Sequence, residues 1–213
     1  MFYAVIGNHI LILPVHVDDC TLTRSSNKLI TEYKTKLDDK FPLTDLGPIH
    51  WLLGIEVTCD HDAHTISLCQ SSFIDTILAR FSLADTKPYG MLMVPSASYS
   101  KHDSLSSPAD VTRMRKVPYH EAIGSLMYVA IATRPDISFA VSCLSQFLEN
   151  PGEAHWQVVK HVFRYLAGMR DQVLTYGTEQ HELQGYTDAD GASQEHRHVI
   201  SGYTFIIDGG VVL

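Results

Sequence analysis

The sequence predicts an α+β fold, with antiparallel hairpins and a helix at its start, helices in its second half and short strands at its end. Three observations lead there. Apolar runs rich in β-branched residues flank the turn pair Gly7-Asn8, and a second pair of such runs flanks the polar stretch CDHDAH at residues 59–64. Between residues 119 and 168 the apolar positions recur with the period of a helix. From residue 173 onward, VLTYG, LQGYTDAD and SGYTFII alternate as short strands do.

The first hairpin joins FYAVI to HILILPVHV, because glycine and asparagine tolerate the positive φ that a tight turn needs. A strand that begins at residue 2 with no turn before it leads to the expectation of sheet neighbours encoded upstream. After CTLT, Ser26 can cap a helix in which Leu29, Ile30, Tyr33, Leu37 and Phe41 follow helical spacing, while Lys28, Lys34, Lys36 and Lys40 occupy the other face. Gly47-Pro48 leads into IHWLLGIEVTC, read as one strand, which turns through CDHDAH into HTISLC as a second hairpin. FIDTILARF then sets Phe73, Ile74, Ile77, Leu78 and Phe81 on one helical stripe.

Residues 86–118 are rich in serine and proline with little periodicity and read as a long connector. Two helical stripes follow: Ala122, Ile123, Leu126, Met127 and Ala130, then Ile137, Ala140, Val141, Leu144 and Leu148, with Thr133 and Asp136 as a cap between them. Asn150-Pro151-Gly152 ends the second; Trp156, Val159, Phe163 and Leu166 line a third that stops at Gly168. The three are expected to pack as a bundle, with Trp156 and Phe163 in its core rather than stacking on bases.

With 213 residues, 45% of them hydrophobic, the chain can bury a core of one or two modest domains. A net charge of −8 excludes a broadly basic nucleic-acid surface, so any such partner must be held locally. Cys20, Cys59, Cys69 and Cys143 form no CxxC pair and read as small buried thiols in a reducing compartment, either cytoplasmic or nuclear. The apolar N-terminus lacks a basic flank and is split by Gly7-Asn8, which argues against a signal peptide, and no apolar run has membrane-spanning length. His61 with His64, and His196 with His198, lack further ligands at zinc-binding spacing and read as solvated turns. No phosphate loop or glycine-flanked serine elbow is present.

Asp18 and Asp19 break a greasy stretch, ILILPVHVDDCTLT. Adjacent carboxylates repel, and buried flanking strands would leave little water to screen them. A divalent cation offsets that cost: Mg²⁺ favours carboxylate and phosphate oxygens and can activate a hydroxyl while stabilising a leaving pyrophosphate. The plainer reading is turn chemistry, in which aspartate is favoured.

His16-Val17-Asp18-Asp19 resembles the YVDD turn in the palm of copia-type retrotransposon reverse transcriptases, and the likeness extends along the chain. FPLTDLGPIHWLLGIEV is similar to the family's hairpin that grips the primer, and ISLCQSSFIDTILARFSL to its thumb entry. The run from IGSLMYVAIATRPDISF to VLTYG resembles the segment joining polymerase to ribonuclease H, and GYTDADGASQEHRHVISGYTF the opening of ribonuclease H.

That resemblance implies the end of a truncated palm and the start of the thumb over residues 1–85, a connector over 86–118, thumb or connection helices over 119–170 and incomplete ribonuclease H-like strands over 171–213. It implies RNA-directed DNA synthesis in the full-length parent, with Asp18 and Asp19 as catalytic ligands of Mg²⁺ and Asp188 as the first metal-binding carboxylate of ribonuclease H. His16, Trp51, Gly54, Lys28 and Lys36 would lie along an RNA or DNA primer-template duplex. His16 replaces the family's tyrosine, and Gly191 stands where tryptophan is usual. The family takes a third aspartate from an earlier strand, yet seventeen residues precede Asp18 and none is acidic; its later ribonuclease H carboxylates are missing too. These residues alone are therefore expected to be inactive. The alternative is a non-catalytic nucleic-acid-binding or interaction protein of the same ancestry, and an exposed N-terminal sheet edge offers a route to association.

Overall fold

The computed structural model describes residues 1–25, 27–93, 104, 107–178, 182–189 and 201–212. Small antiparallel sheets alternate with helices, in keeping with an α+β fold. The chain forms two compact units, Met1–Ile49 and His50–Leu213, a division that falls inside the first segment expected from sequence.

In the first unit, β1 (Phe2–Ile6) and β2 (His9–Leu13) pair around Gly7-Asn8, with Gly7 at φ 60°. Beyond Pro14, β3 (Val15–His16) pairs with β4 (Asp19–Cys20), and β5 (Thr23–Arg24) returns onto β2. One register runs through both ladders, Ile12 opposite Thr23 and Val15 opposite Cys20. The amides of Ser25 and Thr21 donate to the carbonyls of Ile10 and Pro14, each at 3.1 Å. Pro14 accepts that bond but has no N–H to return one, which splits a single hairpin into two short ladders.

α1 (Asn27–Asp38) packs against β5, with Leu29, Ile30, Tyr33 and Leu37 half-buried; Phe41 is exposed, and the expected cap Ser26 lies outside the described residues. Leu11 is the one fully buried hydrophobic among the described residues of this unit. β1 is an edge strand, as expected, and Tyr3, Val5 and Ile10 stand exposed beside it.

The second unit opens with a correction. The run read as one strand is a tight hairpin, β6 (Trp51–Leu52) and β7 (Ile55–Asp60), turning at Leu53-Gly54. Both turn residues hold positive φ, 52° and 78°, the pattern of a type I′ turn. β7 pairs with β8 (Thr65–Cys69) as expected; the Asp60 carboxylate accepts from the amides of Asp62 and Ala63 and so shapes the intervening turn. β9 (Leu174–Tyr176) completes this sheet by pairing with β8.

Four helices form the core: α2 (Ser71–Arg80), α4 (Tyr119–Ala132), α5 (Ser138–Ser145) and α6 (Glu153–Gly168). Ile77, Ile123, Leu126, Leu144, Val159 and Phe163 are fully buried there, each such side chain contributing about 1.5–3 kcal/mol of burial. Met127, expected in the stripe, is exposed while Val129 takes the inward place. Trp156 is half-buried and packs on the core beside buried Phe163.

The connector is more structured than its composition suggests. α3 (Pro108–Met114) starts at a Ser-Pro pair and buries Met114. Residues 86–93 lie along α6, where the Tyr89 amide donates to the Arg164 carbonyl at 3.1 Å and Arg164 Nε to the Lys87 carbonyl at 2.9 Å.

Thr133 and Asp136 do not act as a side-chain cap. Thr133 donates to the buried Gln70 Oε1 at 2.8 Å, ending α4 against the start of α2. Asp136 instead binds Arg134, itself 3% exposed, through two hydrogen bonds of 2.9 and 2.7 Å. Arg134 also donates to the Met169 carbonyl at 2.7 Å and Tyr165 to Asp136 at 3.0 Å, which ties the α4–α5 connection to the end of α6. Burial would raise the Asp136 pKa, but the bonds and charge of Arg134 outweigh it and hold the carboxyl below its usual range.

The last sheet is β10 (Gln184–Ala189), β11 (Ser201–Ile207) and β12 (Gly210–Val212), joined in that order. β12 was not expected; it follows a second type I′ turn at Asp208-Gly209, φ 48° and 80°. Tyr176 of β9 donates to the Val211 carbonyl at 2.7 Å, and Gly177, at φ 92°, donates to the Asp208 carbonyl at 2.8 Å. Gly177 has no room for a side chain, since a Cβ there would lie 2.2 Å from the His64 carbonyl oxygen.

Candidate functional site

Asp18 and Asp19 share the tip of the β3–β4 hairpin, as the sequence predicts. His16 and Asp19 face each other across the closing pair, and Val17-Asp18 forms the two-residue turn. Of the two central residues only Val17 has positive φ, 57°, the signature of a type II′ turn. A β-branched residue there is strained by roughly 1–2 kcal/mol, and Val17 is 86% exposed, so packing does not repay that strain. The flanking strands are exposed rather than buried, which corrects the expectation of a poorly screened pair. Cys20, expected to be buried, is exposed as well, and Cys59, Cys69 and Cys143 are half-buried.

Among the described residues no group of three His, Cys, Asp or Glu side chains comes together. Asp18 and Asp19 nonetheless suit Mg²⁺, which is commonly held by one or two carboxylates while water and substrate phosphates fill its other positions.

Lys28 and Lys36 belong to α1 in the same unit. Lys36 is engaged locally: Nζ lies 2.6 Å from Glu32 and 4.9 Å from the centre of the Tyr33 ring, and the Glu32 carboxylate raises its pKa. Lys34 is bound to both Asp45 oxygens at 2.7 Å. Lys28 makes no ion pair among the described residues.

Trp51, Gly54 and Asp188 belong to the second unit. Trp51 is 55% exposed and sits opposite Glu56, next to the Leu53-Gly54 turn. The Tyr128 hydroxyl of α4 donates to the Leu53 carbonyl. A Cβ on Gly54 would come 3.3 Å from that hydroxyl and would sit at φ 78°, so glycine here serves the turn. Asp188 is exposed on β10 opposite Gly202, its carboxylate accepting from the Ala189 amide at 2.9 Å. Asp190, two residues further on, lies outside the described residues, as do His196 and His198. His61 and His64 are exposed in the β7–β8 turn. Sequence reasoning missed Tyr128, because a tyrosine on a helix carries no local sign of the distant carbonyl it will meet.

Among the described residues no helix is long and apolar enough to cross a membrane. The reverse transcriptase (RNA-dependent DNA polymerase) family model matches residues 1–95. Over 206 residues, 96% of this chain, the sequence is 37% identical to the retrovirus-related Pol polyprotein from transposon TNT 1-94 of Nicotiana tabacum, of which it spans 16%. It is 33% identical over 201 residues, 92% of the chain, to the retrovirus-related Pol polyprotein from transposon RE1 of Arabidopsis thaliana, of which it spans 13%. A third relative, secreted RxLR effector protein 161 of Plasmopara viticola, is 45% identical over 105 residues, 46% of this chain and 71% of that protein. No solved structure matches the chain.

Proposed function

We propose, because this chain belongs to the copia-type retrotransposon Pol family, that it is a segment of an RNA-directed DNA polymerase acting inside the cell, in cytoplasm or nucleus. In this reading residues 1–85 are the end of the palm and the start of the thumb, 86–118 a connector, 119–170 thumb or connection helices, and 171–213 the first strands of a ribonuclease H-like domain. The observation that carries it is the turn itself: two carboxylates at the exposed tip of a hairpin, Asp19 opposite His16 and Asp18 in the turn between them, within a family match that covers them.

Asp18 and Asp19 would hold Mg²⁺, which when bound supplies charge neutralisation for a primer hydroxyl attacking a nucleotide phosphate. The protein's own part is placement. The turn keeps both carboxylates at the tip, and the exposed strands leave room for a primer end beside His16. In the first unit Lys28 and Lys36 would meet phosphates of the nucleic acid; in the second, Trp51 and Gly54 would meet a strand from the β6–β7 hairpin, and Asp188 would be the first carboxylate of the nuclease half.

Among the described residues no third carboxylate joins the pair, and a centre of two is weak, since removing one metal ligand or transition-state donor costs orders of magnitude in rate. The expected result is no extension when the purified chain is given a primed RNA template, nucleotides and Mg²⁺. Robust extension that disappears in Asp18→Asn would overturn the claim of inactivity. The second reading, a binding protein without chemistry, is favoured by the likeness to a protein named as a secreted effector. A labelled primer-template duplex titrated at several salt concentrations separates them: binding that weakens steeply with salt marks phosphate contacts.

A further inference from the structure

We infer that Tyr128 is a positioning residue, whose hydroxyl anchors the Leu53-Gly54 turn to the helical core and so fixes where Trp51 is presented. The link from Trp51 to a duplex rests on the nucleic-acid reading above; the anchoring does not.

The β6–β7 hairpin has little of its own to hold it. β6 is an edge strand of two residues, and Trp51 leaves more than half of its surface in water. The turn is strained as well, because Leu53 holds φ 52°, a region that favours glycine or asparagine. In a two-residue turn the first central carbonyl has no partner within the turn, so the Leu53 oxygen is open to an outside donor. Tyr128 supplies it.

Tyr128 is itself held. Its ring meets Phe73 of α2 edge-on, centroids 4.8 Å apart and planes at 79°, and Phe73 packs against the buried core. Along α4 the neighbours Met127 and Ile131 are 41% and 69% exposed, whereas Tyr128 is half-buried between core and hairpin. The chain of contact is thus turn, phenol, Phe73, core. Gly54 closes it from the other side, since a Cβ would press on the phenol oxygen.

Tyr128→Phe keeps the ring and its Phe73 contact and deletes only the donor. The test labels the full chain with fluorotryptophan and follows the two tryptophan resonances by fluorine NMR, assigning Trp51 by its loss in Trp51→Phe. In Tyr128→Phe the Trp51 resonance is expected to shift and sharpen, while Trp156 in the helical core reports an unchanged fold. Duplex affinity is expected to fall about two- to tenfold, the worth of one hydrogen bond. The double variant Trp51→Ala/Tyr128→Phe should bind no worse than Trp51→Ala, because Tyr128 acts through the hairpin. An unmoved Trp51 resonance overturns the anchoring, whatever the duplex does. A mobilised Trp51 with unchanged affinity overturns its role in presentation. Failure of the unmodified chain to bind duplex overturns the nucleic-acid reading instead, and the fluorine result still decides the anchor.

Discussion

The two units of the chain are held by different means. The second places four helices around a continuous buried core; the first has Leu11 as its one fully buried hydrophobic among the described residues. Yet the first carries the paired aspartates, together with an open edge strand and exposed Tyr3, Val5 and Ile10. Its strands are ordered by turn chemistry and register rather than by packing, so the candidate chemistry stands on the less stabilised part of the molecule. Low local stability of this kind is common where a surface must accommodate a ligand.

Core truncation probes that contrast most strongly. Phe163→Ala removes a fully buried ring and should cost about 3–5 kcal/mol, lowering the midpoint of urea unfolding followed by helix content. Leu11→Ala should cost about 2 kcal/mol or less, because a thinly covered site collapses around the loss, and it should leave the helical transition where it was. Equal shifts of that transition by both variants would break the contrast.

The buried Arg134 gives the next largest effect. Arg134→Leu leaves Asp136 without its cation and should destabilise the second unit by about 2–3 kcal/mol at neutral pH, discounted because Asp136 is partly exposed. The pH dependence carries a sign. The folded pKa of Asp136 is lowered, so its stabilisation is present above its unfolded value of 3.8 and is lost as pH falls through the depressed folded value. In Arg134→Leu the strongest influences that lower the pKa are gone and chiefly the Tyr165 hydroxyl is left to oppose burial, so the carboxyl titrates higher than in the parent and acidification through the same range should reduce the penalty of the substitution. Urea midpoints of both proteins across mildly to strongly acidic pH check this; parallel curves would mean that the ion pair does not link the helices as drawn.

How legible these features were depended on how local their causes are. The long helices showed themselves because three or more turns of apolar spacing cannot be mistaken, while seven-residue α3 is too short for a period and had only its Ser107-Pro108 start and Asp110 as signs. Gly7-Asn8 announced its hairpin, and Asp208-Gly209 offered an equally readable cue for β12. Leu53-Gly54 hid inside an apolar run, where leucine gives no hint of a left-handed backbone. The pairing of β9 with β8 and the Tyr128 bond join residues far apart in sequence, and nothing local encodes them. At the site, position was legible and surroundings were not: Asp18 and Asp19 lie at a hairpin tip as expected, but the flanking strands proved exposed.

The smallest expected effect bears on that tip directly. Val17 holds φ 57° without packing to compensate, so the turn carrying Asp18 and Asp19 stores strain in the unit least able to absorb it. Asparagine tolerates this backbone region and keeps more order in the unfolded chain than glycine would. Val17→Asn should therefore stabilise the hairpin by up to about 1 kcal/mol, read as slower hydrogen exchange at the Thr21 amide, whose bond to the Pro14 carbonyl lies next inward from the tip. If the strain is local, the gain will be confined to residues 14–21 and the helical transition will not move. Unchanged or faster exchange at Thr21 would mean that contacts beyond the turn fix its geometry, and the first unit could no longer be regarded as held by its turns.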